Sequence, residues 1–225
     1  MHCVLSKRRS TRALLLGMSL VLFAIPLLST RAHADMAGAT SAQEGQAAWT
    51  RARQESGIEV YTRPVAGSTV KAFKGEGLVA APVERIRALL RDADRLKEWF
   101  PNTPASKLIS VEGNARLQHT VMATPWPVTD RDNVFRSVTN RDPETGTVDI
   151  RLTAAPDAYP VQEDLHRVRT ANGSWRLEPR GPNETWVEFA MHLEPGGGIP
   201  DWIVNARVVA TPFEALRNLR SILDN

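Results

Sequence analysis

The C-terminal stretch from Gly196 to Leu223 constrains the fold of this chain more than any other. Three consecutive glycines form a hinge, and Pro200 follows at a position favoured in the first turn of a helix. At about 100° per residue, one broad arc then holds Trp202, Val204, Asn205, Val208, Val209, Pro212, Phe213, Ala215, Leu216, Leu219, Ile222 and Leu223. An arc this wide predicts a helix clasped by a curved sheet, although ordinary packing on a core has a similar pattern. Pro212 predicts a kink or a break within the helix.

Residues 1–34 have the pattern of an export signal. Basic residues between Lys7 and Arg12 precede an apolar run from Ala13 to Leu28, and Ala32-His33-Ala34 is a small-x-small cleavage site. The apolar run is short for a membrane-spanning helix. We therefore expect a signal peptide cleaved after Ala34, a single domain over residues 35–225, and a periplasmic or secreted protein.

Removal of the signal reverses the charge balance. Five of the 28 Lys and Arg lie in residues 1–34 and all 25 Asp and Glu lie after them, so residues 35–225 carry 23 basic against 25 acidic side chains, a net charge of −2. The basic character of the whole chain therefore belongs to the signal, and we expect no nucleic-acid partner. The only cysteine, Cys3, also lies in the signal, so an apolar core has to hold the mature chain together.

Between the signal and the tail, the hydrophobic pattern predicts a short helix, two strands, two helices and about six strands. The helices are expected at Ser41–Arg53, from Pro82 through Leu90, and in a short segment that ends at Trp99. The strands are expected at Ile58–Arg63, Thr69–Val79, Lys107–Glu112, Ala115–Ala123, Asp130–Thr139, Thr147–Thr153, His166–Arg169 continuing to Gly173–Glu178, and Glu184–Leu193. Their alternation of apolar and polar residues is typical of an antiparallel sheet with one buried face.

No motif for a metal, a cofactor or a catalytic nucleophile is present. The histidines after the signal, His119, His166 and His192, are not at metal-ligand spacings. The sequence has no Gly-x-Ser-x-Gly elbow and no phosphate-binding glycine loop. We therefore expect no cofactor and no metal, and we assign no catalytic residue.

The most unusual run is Pro125–Asp132, in which two prolines flank Trp126 and an acid–base–acid triplet follows. In one interpretation it is a rigid surface corner, with Trp126 stacked on the core and Arg131 bridging the neighbouring carboxylates. In the other, one charged residue turns inward and supplies a polar anchor inside an apolar cavity. Arg136, Asp149 and Arg151 on the following strands could form a similar pair.

Four segments together resemble a START (StAR-related lipid-transfer) domain of the bacterial kind: Gly57–Arg63, Lys71–Gly77, Pro125–Asp132 and Gly197–Asn205. The likeness extends over essentially all of residues 35–225. It implies an α+β helix-grip fold, in which a curved antiparallel β-sheet is wrapped around a long C-terminal α-helix with an internal hydrophobic cavity. It also implies that the helix acts as a lid and that Asn205 matches the family's helix Asn near the tunnel. The implied ligands are sterols, phospholipids, sphingolipids or other apolar molecules.

The sequence favours a monomer that binds and transports a lipid or another hydrophobic small molecule and contacts a membrane transiently. The alternative is an enzyme of the same superfamily, a cyclase or hydrolase of aromatic or polyketide-like substrates. That enzyme needs an acid–base pair facing the cavity, for which Asp149 with Arg151, or His119, are the candidates. A third hypothesis is an exported module that binds a protein partner through exposed tryptophans.

The predicted ligand-binding residues are the apolar phases of the late strands, the centre of the helical arc, and the polar anchors considered above. They are Met122, Trp126, Arg136, Arg151, Val187, Phe189, Met191, Asn205, Val208, Val209, Pro212 and Leu216. We expect them to surround a cavity on the order of several hundred Å³.

Overall fold

A computed structural model describes residues 47–224, and its ten strands form one large sheet. The strands are β1 (Thr50–Glu55), β2 (Ile58–Arg63), β3 (Ala72–Val79), β4 (Ala105–Glu112), β5 (Ala115–Met122), β6 (Arg131–Arg141), β7 (Val148–Ala154), β8 (His166–Arg167), β9 (Thr170–Gly181) and β10 (Glu184–Glu194). The helices are α1 (Val83–Arg91), α2 (Leu96–Trp99) and α3 (Asp201–Asp224). The predicted signal peptide lies outside the described residues.

The strands are ordered β1-β2-β3-β10-β9-β7-β6-β5-β4, and β8 pairs with β6. Every neighbouring pair is antiparallel except β6 with the short β8, which is parallel. The pairing of β3 with β10 joins the first three strands to the rest of the sheet. Together with α3, this arrangement confirms the predicted α+β fold, a curved antiparallel sheet combined with a long C-terminal helix.

The helix predicted over Ser41–Arg53 is wrong where the structure can test it. Thr50–Glu55 is a strand, and residues 41–46 lie outside the described part of the chain. Ser56 and Gly57 both have positive φ values, of 52° and 66°, as a tight two-residue hairpin turn requires. Pairing with β2 therefore overrides the weak helical pattern, and the Ser-Gly dipeptide was the signal for it.

The predicted C-terminal helix is a single element through Pro212, so of the two predicted effects of the proline, a kink or a division in two, the division is not observed. Pro212 and Leu216 lie directly against the backbone of β3 at Gly75. A Cβ added at Gly75 would lie 2.7 Å from the Cβ of Pro212, so only glycine permits this contact. The helix is thus fixed to β3 at the proline.

The main core fills the space between the first strands and the second half of α3. Its largest fully buried apolar side chains include Phe189, Phe213, Ile58, Leu216 and Leu219. The other predicted helices and strands are present, and only their ends differ by a few residues. For example, β3 begins at Ala72 instead of Thr69. No helix in residues 47–224 is long and apolar enough to cross a membrane.

Candidate ligand-binding cavity

A cavity of about 250 Å³ lies between the sheet and the first half of α3. Its lining comes from β3, β5, β6, β7, β9 and β10, from the α1–α2 region, and from residues 195–211. The volume is below the several hundred Å³ expected from the sequence. The space is nevertheless where the helical arc and the late strands predicted it.

One wall of the cavity is apolar and largely aromatic. It is formed by the lining residues of β3, β7, β9 and β10, namely Phe73, Ile150, Leu152, Trp175, Phe189, Met191 and Leu193. The rings of Trp175 and Phe189 are stacked with centroids 4.0 Å apart, and Phe73 meets Phe189 edge-on at 5.1 Å. These contacts hold the rings rigidly, so the wall presents a flat apolar surface that is already in place.

The adjoining wall, on β5 and β6, is largely polar. Alternate residues of each strand face the cavity: Arg116, Gln118, Thr120 and Met122 on β5, and Arg131, Asn133, Phe135, Ser137 and Thr139 on β6. The register places Thr120 opposite Asn133 and Arg116 opposite Ser137. The cavity is therefore amphipathic, with its polar groups concentrated on two adjacent strands.

Arg131 is the most deeply buried charged residue of the polar wall and is only 1% exposed. Its guanidinium donates to the carbonyl oxygens of Thr129, Gly196 and Gly197. Burial lowers the pKa of this guanidinium, and the charge of the adjacent Asp130 offsets the effect only in part. Arg131 thus ties β6 to the glycine hinge that precedes α3.

Asp132, the next residue, points to the opposite face of β6 and is completely buried there. Its carboxylate accepts hydrogen bonds from Arg167, with Nη2–Oδ2 at 2.7 Å, and lies 2.9 Å from Nε2 of His119. Burial alone raises the pKa of Asp132, but the hydrogen bonds and charges of Arg167 and His119 outweigh it, so the pKa lies below its ordinary value. Arg167 also donates to the carbonyls of Pro156, Tyr159 and Pro160, which fixes this loop over the outer face.

The structure brings four of the twelve predicted ligand-binding residues to the cavity lining: Met122, Phe189, Met191 and Val208. Val187, Pro212 and Leu216 are buried in the solid core, where Pro212 and Leu216 pack on Gly75. Val209 packs against the same core from a half-buried position. Asn205 is also outside the lining: its amide binds the Thr69 carbonyl and the Lys71 backbone N–H, which holds α3 to the segment before β3.

The three remaining predicted residues lie away from the lining. Trp126 is 93% exposed, so neither stacking on the core nor a place in the cavity describes it. Arg136 and Arg151 are exposed on the outer face of the sheet, because each lies between residues that face inward. In the Pro125–Asp132 run it is Arg131 that turns inward, as the second interpretation of this run required.

The candidates for an enzymatic acid or base also lie elsewhere. Asp149 forms an exposed ion pair with Arg176 at 3.0 Å. His119 is buried on the outer face, between Asp132 and the ring of Tyr159. Neither side chain is part of the cavity lining.

Sequence reasoning missed most of the polar wall, including Asn133, Gln118 and Thr120. The alternation Arg131-Asn133-Phe135 looks like a solvent-facing phase, whereas Asp132 and Val134 alternate with it and are buried. The outer face at the start of β6 is covered by the loop that Arg167 fixes, so both faces of the strand are buried. The sequence did contain one indication: Asn133 lies two residues after Arg131 on the same strand, so the two side chains must share a face.

A curved antiparallel sheet that holds a C-terminal helix over a cavity defines a helix-grip protein. The START domain model matches residues 29–225, and this chain belongs to that family. The match confirms the resemblance seen in the sequence.

Three comparisons illustrate the relationship. The chain is 36% identical over 173 residues to the Pseudomonas aeruginosa protein PA1579, an alignment that covers 77% of this chain and 85% of that protein. The crystal structure of a STAR-related lipid transfer protein from Xanthomonas axonopodis is 35% identical, has a TM-score of 0.74, and covers 79% of this chain and 99% of its own. Human StAR-related lipid transfer protein 5 has the same fold at 20% identity, with a TM-score of 0.69 and coverage of 78% and 86%.

Proposed function

We propose that this protein is a non-enzymatic carrier that binds a lipid or another hydrophobic small molecule in the cavity beneath α3. The observation that carries this proposal is the cavity itself, with a rigid aromatic wall on one side and the first half of α3 on the other. Family membership supports it, as do relatives whose names describe lipid transfer.

The apolar wall supplies enough free energy for binding. Each buried methylene contributes about 0.8 kcal/mol, so a chain of about eight methylenes gains roughly 6 kcal/mol before ordering costs. The stacked Trp175 and Phe189 rings are already fixed, so their ordering adds little to those costs.

The segment that would open is residues 196–211, which we call the lid segment. It begins with Gly196, Gly197 and Gly198, all with positive φ values between 61° and 67°, which residues other than glycine seldom adopt. All lining residues of α3 belong to it: Ile203, Val204, Arg207, Val208 and Thr211. Movement about the glycines would therefore uncover the cavity without disturbing the core beneath the rest of α3.

Two exposed tryptophans suit the proposed transient contact with a membrane. Trp126 is 93% exposed and Trp202 is 74% exposed, and each is next in sequence to a residue near the cavity: Pro125 and Ile203 both line it. Tryptophan favours the boundary between lipid head groups and tails. We place the protein as a monomer in the periplasm or outside the cell, following cleavage after Ala34.

The test of the carrier proposal is to extract the purified protein with organic solvent and identify the released molecules by mass spectrometry. Protein without residues 1–34, purified from its native host, should release a hydrophobic molecule in near-stoichiometric amount. Vesicle assays should then show that the emptied protein moves a fluorescent analogue of that molecule between membranes. Absence of any bound or transferable hydrophobic molecule would refute the proposal.

A further inference from the structure

The charged residues of the cavity lining all have the same sign. They are Lys71, Arg91, Arg116, Arg131 and Arg207, and the lining contains no Asp or Glu among the described side chains of residues 47–200 and 202–224. This is unexpected from composition, since residues 35–225 contain more acidic than basic side chains. The charged side chains on the described lining therefore favour an anionic ligand.

Arg131 is a buried cation that makes no ion pair with the carboxylates whose side chains the structure describes, those of residues 47–200 and 202–224. The hydrogen-bond acceptors found for it there are neutral backbone carbonyls. Its Nε–H is buried and has no acceptor. A buried charge without an opposite charge is strongly unfavourable, so this arrangement favours an anion beside Arg131.

Asn133 is a second unpaired polar group on the same face of β6. It is 2% exposed, and neither Nδ2 nor Oδ1 of its amide has a hydrogen-bond partner. Two steps along a strand put its Cβ roughly 6–7 Å from that of Arg131. Buried amides are almost always hydrogen-bonded in folded proteins, so a partner from outside the chain is the natural explanation.

We propose that Arg131 and Asn133 bind the anionic head group of an amphiphile, whose apolar part lies along the aromatic wall. This inference rests on the carrier function and specifies its ligand class. A carboxylate or phosphate oxygen accepts from Nε–H of Arg131 and from the Asn133 amide, and it supplies the missing negative charge.

The head group can be tested with ligands that share one tail. The probe is N-phenyl-1-naphthylamine, a neutral dye whose fluorescence rises in apolar sites, and the competitors are decanoate, decyl phosphate, decanol and decylamine. We expect the two anions to displace the dye at concentrations at least about tenfold lower than decanol requires. Decylamine should be the weakest competitor. The two anions then show whether the site prefers a carboxylate or a phosphate.

Variants locate the head-group site. Asn133→Leu should reduce the advantage of the anions over decanol to within about threefold. Arg131→Gln should abolish the advantage, with circular dichroism as a check of folding because Arg131 also binds the glycine hinge. The matched control is Arg136→Gln, which removes the same charge from the outer face of the same strand and should keep the anion preference.

Each outcome separates the two proposals. Equal displacement by all four ligands, or an anion preference that survives in Asn133→Leu, would overturn the head-group site and leave the carrier function intact. A preference for decylamine would overturn it as well. If no ligand displaces the dye and solvent extraction releases nothing, the carrier function fails and the head-group site fails with it.

Discussion

The two halves of α3 differ sharply in how they are held. In residues 212–224, the anchor segment, Phe213, Ala215, Leu216, Leu219 and Leu223 are buried in the main core. In the lid segment, Val208 is the one side chain within 202–211 that is fully buried, and Trp202 is largely exposed. The same helix therefore contributes a core element and a loosely packed cover.

The anchor segment is also held by polar contacts to more parts of the sheet than the lid segment is. Arg220 in the anchor segment donates to the carbonyls of Leu78, Ser56 and Gly57, which connects the helix to two strands and a turn. Asn205 in the lid segment contacts only the short stretch from Thr69 to Lys71. Pro212, the first residue of the anchor segment, packs on Gly75 and so fixes the helix to β3 at the boundary between the two segments. Under the carrier proposal, we therefore expect the lid segment to open while the anchor segment stays folded.

The largest expected difference between the segments is in stability. Leu219→Ala removes a fully buried side chain and should lower the free energy of unfolding by about 2–5 kcal/mol. Val204→Ala, at a half-buried position beside the cavity, should cost about 1 kcal/mol or less. Urea unfolding measures both, and equal costs would mean that the two segments are held equally firmly.

A reversible cross-link should stop the lid. The variant Lys71→Cys with Asn205→Cys joins two positions whose backbone N–H and side-chain oxygen lie 3.2 Å apart, and the only natural cysteine, Cys3, lies in the predicted signal. Once mass spectrometry shows the disulfide, vesicle-to-vesicle lipid transfer should fall by about tenfold or more and recover on reduction. Transfer that continues at the same rate in the oxidised protein would place the opening elsewhere.

A smaller effect is expected when the lid is loosened. Asn205→Ala removes two hydrogen bonds, each worth about 0.5–1.5 kcal/mol, and should speed lipid transfer by about three- to tenfold. The matched control is Asn218→Ala in the anchor segment, which removes the hydrogen bond to the Trp99 carbonyl at 2.9 Å. A similar acceleration in both variants would show that Asn205 does not act specifically on the lid segment.

The smallest effect on the isolated protein should come from the exposed tryptophans. Trp126→Ser with Trp202→Ser should leave the free energy of unfolding within about 0.5 kcal/mol for each exposed site. Transfer between vesicles should nevertheless fall several-fold, since the protein loses its interfacial anchors. Leu78→Ser, an exposed apolar residue beside Arg220 and the anchor segment, is the control. If Leu78→Ser slows transfer as much as the tryptophan variant does, the protein does not contact the membrane preferentially through the lid segment.

The sequence predicted the framework well because periodicity reports which residues share a face. It located the long helix, the start of that helix after three glycines, and the late antiparallel strands. It misplaced the first predicted helix because a hairpin with β2 provides hydrogen bonds that local propensity does not register.

The cavity itself was harder to predict because periodicity does not say what covers a face. Val187 and Leu216 have the expected phase, yet neighbouring chain fills the space beside them. Arg136 and Arg151 were assigned to the wrong face, while Arg131 and Asn133 look like solvent-facing residues until the loop bound by Arg167 is seen to cover the other side. Such coverage depends on contacts between segments that are distant in sequence.

The junction between β3 and β10 has a consequence for the order of folding. Thr185 pairs with Val79, and Met191 pairs with Phe73, although the members of each pair lie far apart in the sequence. Until β10 has been synthesised, β3 and β9 both have an open edge, and Phe73 and Trp175 lack their ring partner Phe189. The helix that covers the aromatic wall comes last of all. We therefore expect late, slow closure of the sheet, with chains interrupted before Glu184 prone to aggregate through those two edges.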